Sequence, residues 1–179
     1  FMKKIAARGW LGITWPKEYG GQDGSGIYEY LLNEMLSAVG APGIGKGVGI
    51  VGKTLINVGS EKLKKEFLPK ILNAEIEFAV GYSEPGAGSD AAAMRLKAER
   101  KGDGWVLNGQ KIFTSLAGDA DYMWLAVRTN PDAPKHEGIS MLAIDVKTPG
   151  IRIDPMHLLS EHDINTVFFD DVRVPASRL

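Results

Sequence analysis

The densest run of potential chemistry is Ser83-Glu84-Pro85-Gly86-Ala87-Gly88-Ser89-Asp90, which directly follows an apolar run at 76–82. Two glycines and an alanine let a backbone pass close to a ligand, while Ser83, Ser89 and unpaired N–H groups offer donors to a phosphate, a carbonyl or a ring nitrogen. Taken alone, the octamer fits either a polar binding loop or an ordinary surface turn. It is not G-x-G-x-x-G, and no Lys-Ser/Thr follows as a phosphate-binding P-loop requires. Other residues carry weaker signals. Phe113, on an alternating stretch, reads by itself as a core aromatic. Ser115 reads as a strand-end hydroxyl and Glu84, before Pro85, as a solvated turn carboxylate. Asp170-Asp171 reads as an exposed turn pair rather than an acid/base dyad, because neighbours on extended chain point to opposite faces. Lys62, Lys64 and Lys65 read as a solvated helix face.

Composition removes several kinds of chemistry. The chain has 179 residues, enough for one domain or for one and a fragment. With 21 Lys+Arg against 22 Asp+Glu the net charge is −1, which argues against a charge-driven nucleic-acid binder. Without cysteine there is no disulfide, thiolate nucleophile or Cys-ligated metal, and His136, His157 and His162 are too scattered for a helical metal pair. No metal site is expected. The most apolar stretch, 122–127, falls far short of the roughly 18 residues of a spanning helix, and no leader pattern opens the chain. A cytoplasmic protein without a membrane span is the expectation. The chain opens on Phe1 within a helical pattern and closes on Leu179 after Pro175, so both ends look cut.

The elements that must position these residues change character near residue 76. Residues 1–76 carry a net charge of +3 and 77–179 one of −4. From Ile27, the positions Ile27, Leu31, Met35 and Val39, with Tyr28, Leu32 and Leu36 beside them, recur at helical spacing until Gly40 and Pro42. A second helix is expected over 48–58, ending at Gly59. A third opens with Ser60 as N-cap and Glu61 in the first turn. Beyond residue 75 the apolar runs shorten to strand length: 76–82, 94–100, 105–107, 111–115, 122–129, 139–146, 151–153 and 166–169. Gly102-Asp103-Gly104 is expected to close a tight hairpin, and Asn108-Gly109 to supply the next turn. Residues 129–137 read as an exposed loop. The expected fold is α+β: a partial helical domain at 1–76, then an antiparallel β-barrel or sandwich domain at 77–179.

Five segments, in order, resemble the acyl-CoA dehydrogenases. They are the octamer 83–90, then Asn108-Gly-Gln-Lys-Ile-Phe-Thr-Ser115 and Phe168-Phe-Asp-Asp-Val-Arg-Val-Pro175, which resemble the middle domain. Upstream, Gly9-Trp-Leu-Gly-Ile-Thr-Trp-Pro-Lys-Glu-Tyr-Gly-Gly21 and Gly59-Ser-Glu-Lys-Leu-Lys-Lys-Glu-Phe-Leu-Pro69 are similar to the N-terminal helical domain. Together they span nearly the whole chain.

The resemblance implies an FAD site of Tyr82, Ser83, Gly88, Ser89, Phe113, Thr114 and Ser115. Ser83 stands where the family bonds the pyrimidine side of the isoalloxazine, with Tyr82 lending backbone contacts. Gly88 and Ser89 match the turn that lines the cofactor, and Ser89 also meets the pantetheine or phosphate part of an acyl-CoA. Phe113 replaces a common Trp against the flavin, and Ser115 a common Thr at its N5 edge. The implied reaction is α,β-desaturation of an acyl-CoA thioester with hydride transfer to flavin, in fatty acid or sterol side-chain degradation. No catalytic residue is expected here, since the carboxylate that takes the α-proton belongs to a third, helical part that this sequence lacks. The truncated chain is expected to be inactive. An electron-transfer acceptor and a homo- or hetero-oligomer of the intact enzyme are also implied. Two other readings stay open: an acyl-CoA oxidase or flavin monooxygenase on the same scaffold, or a non-catalytic partner subunit. Glycines at 40, 43, 45, 47, 49 and 52 suggest a roomy site for a bulky, steroid-like acyl group, or simply a flexible loop.

Overall fold

The structure is a computed structural model that describes residues 1–159 and 164–179; His162 lies outside the described residues. The chain divides into two compact units, Phe1–Glu77 and Phe78–Leu179.

The first unit is helical: α1 (Met2–Ala7), α2 (Gly26–Ala38), α3 (Lys53–Val58) and α4 (Glu61–Leu72), with a π-helical turn at Gly47–Gly52 leading into α3. The caps follow from the sequence. Ser25 Oγ accepts from the Ile27 N–H, and Ser60 Oγ accepts from the Leu63 N–H at 3.4 Å, each satisfying a first-turn donor that the helix cannot. Helix α4 buries Leu63, Phe67, Leu68 and Ile71. Helix α2 forms where periodicity predicts it, but Ile27, Tyr28, Leu31, Met35 and Val39 are exposed and only Leu36 is buried. Periodicity reports that a face is apolar, not what covers it.

The glycines at 45, 47 and 52 have packing reasons. A Cβ on Gly45 would lie 1.6 Å from Glu77 Oε2, and the Gly47 N–H donates to Glu77 Oε1 at 2.7 Å. A Cβ on Gly52 would lie 1.9 Å from Cζ2 of the buried Trp15, whose indole N–H donates to the Val48 carbonyl. At these three positions the missing side chain admits Glu77 and Trp15, which replaces the expectation of room for an acyl group. Gly40, at φ +64°, ends α2.

The second unit is one seven-stranded sheet: β1 (Phe78–Gly81), β2 (Lys97–Lys101), β3 (Gly104–Ser115), β4 (Tyr122–Arg128), β5 (Ile139–Asp145), β6 (Ile151–Met156) and β7 (Ile164–Pro175). All seven strands feed one core around Leu107, Met123, Leu125, Leu142 and Val167, so the sheet is folded about it. The sheet is mixed rather than purely antiparallel: β4 pairs antiparallel with β5 along its length, parallel with β1, and parallel with β2 at Lys97 and Arg128. Alternation in a sequence gives strands but not their directions.

The hairpin at Gly102-Asp103 joins β2 and β3 as expected. Asn108-Gly109, expected as a turn between two strands, lies within the single strand β3. There the ladder with β7 shifts register between Leu107 and Gly109, and Asp170-Asp171 holds the extra residue. Asp171 takes φ +48°, its N–H donates to Asn108 Oδ1 at 2.9 Å, and Asn108 Nδ2 donates to Asp171 Oδ1 at 3.0 Å. The acid pair is therefore exposed but sits in a bulge, not a turn. Asn-Gly tolerates positive φ, which a bulge needs as much as a hairpin does. Likewise the expected strand 94–100 is shifted: pairing begins only at Lys97 and runs to Lys101.

Replacing Gly52 with Ala forces a methyl into the Trp15 ring. The expected cost is about 2 kcal/mol, read as a lower melting temperature, whereas Gly49→Ala, which meets open space, leaves it nearly unchanged.

Candidate functional site

The octamer is held from beneath by a residue that composition and motif leave unmarked. Lys111 of β3 is fully buried. Its ammonium donates to the Tyr82 carbonyl at 3.0 Å and to Glu84 Oε1 at 2.8 Å. Glu84 also accepts from the backbone N–H groups of Arg95, at 2.6 Å, and Leu96, at 2.9 Å. Those two N–H groups precede β2 and would otherwise be buried donors without a strand partner, so the carboxylate completes what the sheet does not. Glu84 is therefore buried and paired, not the solvated turn carboxylate that its place before Pro85 suggests.

The electrostatics follow from this geometry. Burial alone raises the Glu84 pKa, but the Lys111 ammonium and the Arg95 and Leu96 N–H groups outweigh it and hold the carboxyl below its ordinary value. Burial pushes the Lys111 ammonium down, with the Glu84 carboxylate opposing it. Four hydrogen bonds close on the two groups.

Above this anchor the backbone is tightly ordered. Glu84 and Ala87 exchange both backbone hydrogen bonds, closing Pro85-Gly86 into a two-residue turn. Gly88, Ser89 and Asp90 lie exposed beyond it. Arg128 then fastens the short helical turn Ala91–Ala93, donating through Nη2 to the Ala92 carbonyl at 2.7 Å and through Nε to the Met94 carbonyl at 3.2 Å. Asp90 pairs with Lys135 at the surface.

The Ser83 carbonyl accepts from the Ile112 N–H at 2.9 Å, which sets Ser83 beside the end of β3. Here the β3–β7 ladder shifts again, between Lys111 and Thr114, and Phe113 adopts φ +57° with 58 % of its surface exposed. A left-handed conformation is costly for an aromatic residue, and it turns the ring outward where plain alternation would have buried it. Thr114 faces inward at 1 % exposure, and its carbonyl accepts from Asn165 Nδ2. Its hydroxyl is closed off from outside, so any contact Thr114 makes with a ligand is through backbone. Ser115 is half-buried, and Tyr82 is 39 % exposed with its phenol pushed up by burial.

The structure thus brings Tyr82, Ser83, Phe113 and Ser115 to one end of β1 and β3, with Gly88 and Ser89 on the exposed arm of the loop. An exposed ring, hydroxyls and loop N–H groups are suited to a flat heteroaromatic ligand with polar edges. Sequence reasoning missed Lys111 and Arg128. The available signals were a lone cation in an otherwise inward-facing run of β3, and an acid placed directly after a buried strand. Among the described residues no group of His, Asp and Glu is arranged to hold a metal, and no helix is long and apolar enough to cross a membrane.

Residues 79–172 match the model of the acyl-CoA dehydrogenase middle domain, and residues 1–75 that of the N-terminal domain. The chain belongs to the acyl-CoA dehydrogenase family. Its members are flavoprotein oxidoreductases. The chain is 44 % identical to acyl-CoA dehydrogenase FadE29 of Mycobacterium tuberculosis over 99 % of its own length and 46 % of the relative's. It is 34 % identical to mitochondrial isovaleryl-CoA dehydrogenase of Pongo abelii, covering 44 % of that protein. Among solved structures it is similar to the steroid ACAD Tcur3481-Tcur3483, at TM-score 0.94 and 44 % identity over 99 % of this chain and 46 % of that one. It is also similar to the ChsE4-ChsE5 complex from Mycobacterium tuberculosis, at TM-score 0.94 and 40 % identity over 99 % of this chain and 47 % of that one. The chain spans just under half the length of these relatives.

Because its folded-state pKa is depressed, Glu84 contributes stability that is present above the unfolded value of about 4.3 and lost as pH falls through the folded value. Thermal melts from pH 6 down to pH 3 should show the parent chain losing its advantage over Glu84→Gln. A constant gap between the two would contradict a depressed Glu84.

Proposed function

We propose that this chain forms the cofactor-orienting part of an FAD-dependent acyl-CoA dehydrogenase that desaturates an acyl-CoA thioester between its α and β carbons. The observation that carries this reading is Phe113, an aromatic residue held in a strained backbone conformation with its ring outward, hydrogen-bonded through its neighbour Ile112 to Ser83. Strain that a fold maintains while exposing an apolar ring is best explained by a ligand that the ring meets.

The residues present fit a flavin: one flat apolar face from Phe113, hydroxyl donors from Ser83 and Ser115, and backbone from Tyr82, Thr114, Gly88 and Ser89. When bound, FAD supplies the two-electron acceptor for hydride from the thioester's β carbon. Ser83 donates to the pyrimidine edge, where a fixed dipole favours negative charge. Phe113 would pack against the ring, Ser115 would offer a hydroxyl to it, and the Gly88-Ser89 arm would offer N–H and hydroxyl donors to the acyl-CoA. Glu84 is the one buried carboxylate among the described residues, and its commitment to Lys111 and two N–H groups lowers its affinity for a proton and makes it a poor base. In this proposal the base for the α-proton comes from outside these residues, so the chain alone binds and orients without turning over. The steroid ACAD likeness supports a ring-bearing acyl group. The likeness to the ChsE4-ChsE5 complex supports pairing with a second chain. In this proposal the electrons then pass to a separate acceptor.

Absorption spectra after FAD addition and desalting, then anaerobic addition of linear and steroid-type acyl-CoA thioesters, test the reading. Retained visible flavin absorbance supports the site; loss of all flavin on desalting overturns it, and bleaching by a thioester from this chain alone overturns the external base. A second expectation separates ligand from fold. Phe113→Gly should leave stability within about 1 kcal/mol, relief of the left-handed strain offsetting glycine's entropy, while FAD affinity drops at least tenfold.

A further inference from the structure

Lys111 and Glu84 are buried, and the bonds that hold the Tyr82 and Ser83 carbonyls run through them or beside them. The Lys111 ammonium bonds the Tyr82 carbonyl on one side and Glu84 on the other, so it spans Ser83 like a staple. The next residue along β3, Ile112, bonds the Ser83 carbonyl, and the one after that is Phe113. Three consecutive residues of β3 thus take three roles: Lys111 holds 82 and 84, Ile112 holds 83, and Phe113 presents the ring.

A purely structural pair would make little sense as a choice of chemistry. Burying a lysine and a glutamate costs desolvation that an apolar pair of the same volume avoids, and such replacements are often neutral or stabilising. What the ionic pair provides and an apolar pair cannot is direction. The ammonium reaches two acceptors at fixed angles, and the carboxylate reaches two N–H groups at Arg95 and Leu96, so the loop has one position and not several.

We propose that Lys111, acting with Glu84, is a positioning residue for the flavin: the pair fixes where the Ser83 hydroxyl and the Phe113 ring stand, and thereby sets cofactor affinity and the flavin's reduction potential without touching the cofactor. This rests on the flavin site proposed above.

The test compares the parent chain, Lys111→Met and the double variant Lys111→Met/Glu84→Gln by thermal melting, FAD fluorescence-quenching titration and potentiometric titration of the bound flavin. Lys111→Met strands a buried carboxylate and should unfold or melt far below the parent. The double variant removes both charges, and the amide that replaces the carboxylate keeps an acceptor oxygen for one of the Arg95 and Leu96 N–H groups, so part of the melting temperature should return. The proposal expects the double variant, once folded, to bind FAD at least tenfold more weakly and to show a shifted midpoint potential. Recovery of the parent's affinity and potential together with its stability would overturn it, because that is what a merely structural pair predicts. Should the double variant fail to fold, Glu84→Gln alone decides by the same two readouts: parental affinity and potential overturn the proposal, and weakened binding with a shifted potential supports it. Failure of the parent chain to bind FAD is a separate result. It refutes the flavin site itself, and the positioning role with it.

Discussion

The second unit depends on one buried ion pair. A sheet edge ends at Gly81, the ladder resumes only at Lys97, and the residues between carry backbone groups that the ladder does not satisfy. Lys111 and Glu84 supply the missing partners for the Tyr82 carbonyl and the Arg95 and Leu96 N–H groups. Desolvating two charges is expensive, and the geometry repays it only because each charge has more than one partner. The loop that results is irregular in dihedral angles but fixed in place, and fixed irregular loops on a rigid sheet are where ligand contacts concentrate.

Much of this is legible in the sequence. Ser25 and Ser60 cap helices because Ser before a helical apolar run has few other uses, and Gly102-Asp103 closes a hairpin because the flanking strands leave it nothing else to do. The octamer is recognisable as a loop whose small residues leave its backbone open. What cannot be read is what depends on partners distant in the chain. An acid after a buried strand hints that Glu84 has a partner, but nothing local to it says that the partner is Lys111, twenty-seven residues on. Nothing local to Gly45 or Gly52 announces Glu77 or Trp15. A glycine can mark space left for a ligand or space filled by a neighbour, and only the packing distinguishes the two.

Asn108-Gly109 and Phe113 show a subtler limit. Sound local rules make the first a turn and the second, without its family context, a core aromatic. In each case a bulge changes the outcome. A bulge moves every later side chain on its strand to the opposite face, so a single extra residue overrides alternation from that point on.

The two bulges on β3 and β7 also have an arithmetic of their own. At the first, Leu107 to Gly109 on β3 faces Val172 to Phe169 on β7, so the extra residue belongs to β7; at the second, Lys111 to Thr114 faces Val167 to Asn165, so it belongs to β3. The second cancels the first. Only Gly109, Gln110 and Lys111 run one step out of phase, and the ladder is back in its original frame by Thr114. A deletion that removed the Asp170-Asp171 bulge alone would leave the two strands one step out of frame from there on, and only removal of the Phe113 bulge as well would restore the register. The bulge that holds the acid pair and the bulge that displays an aromatic ring are thus one compensated unit.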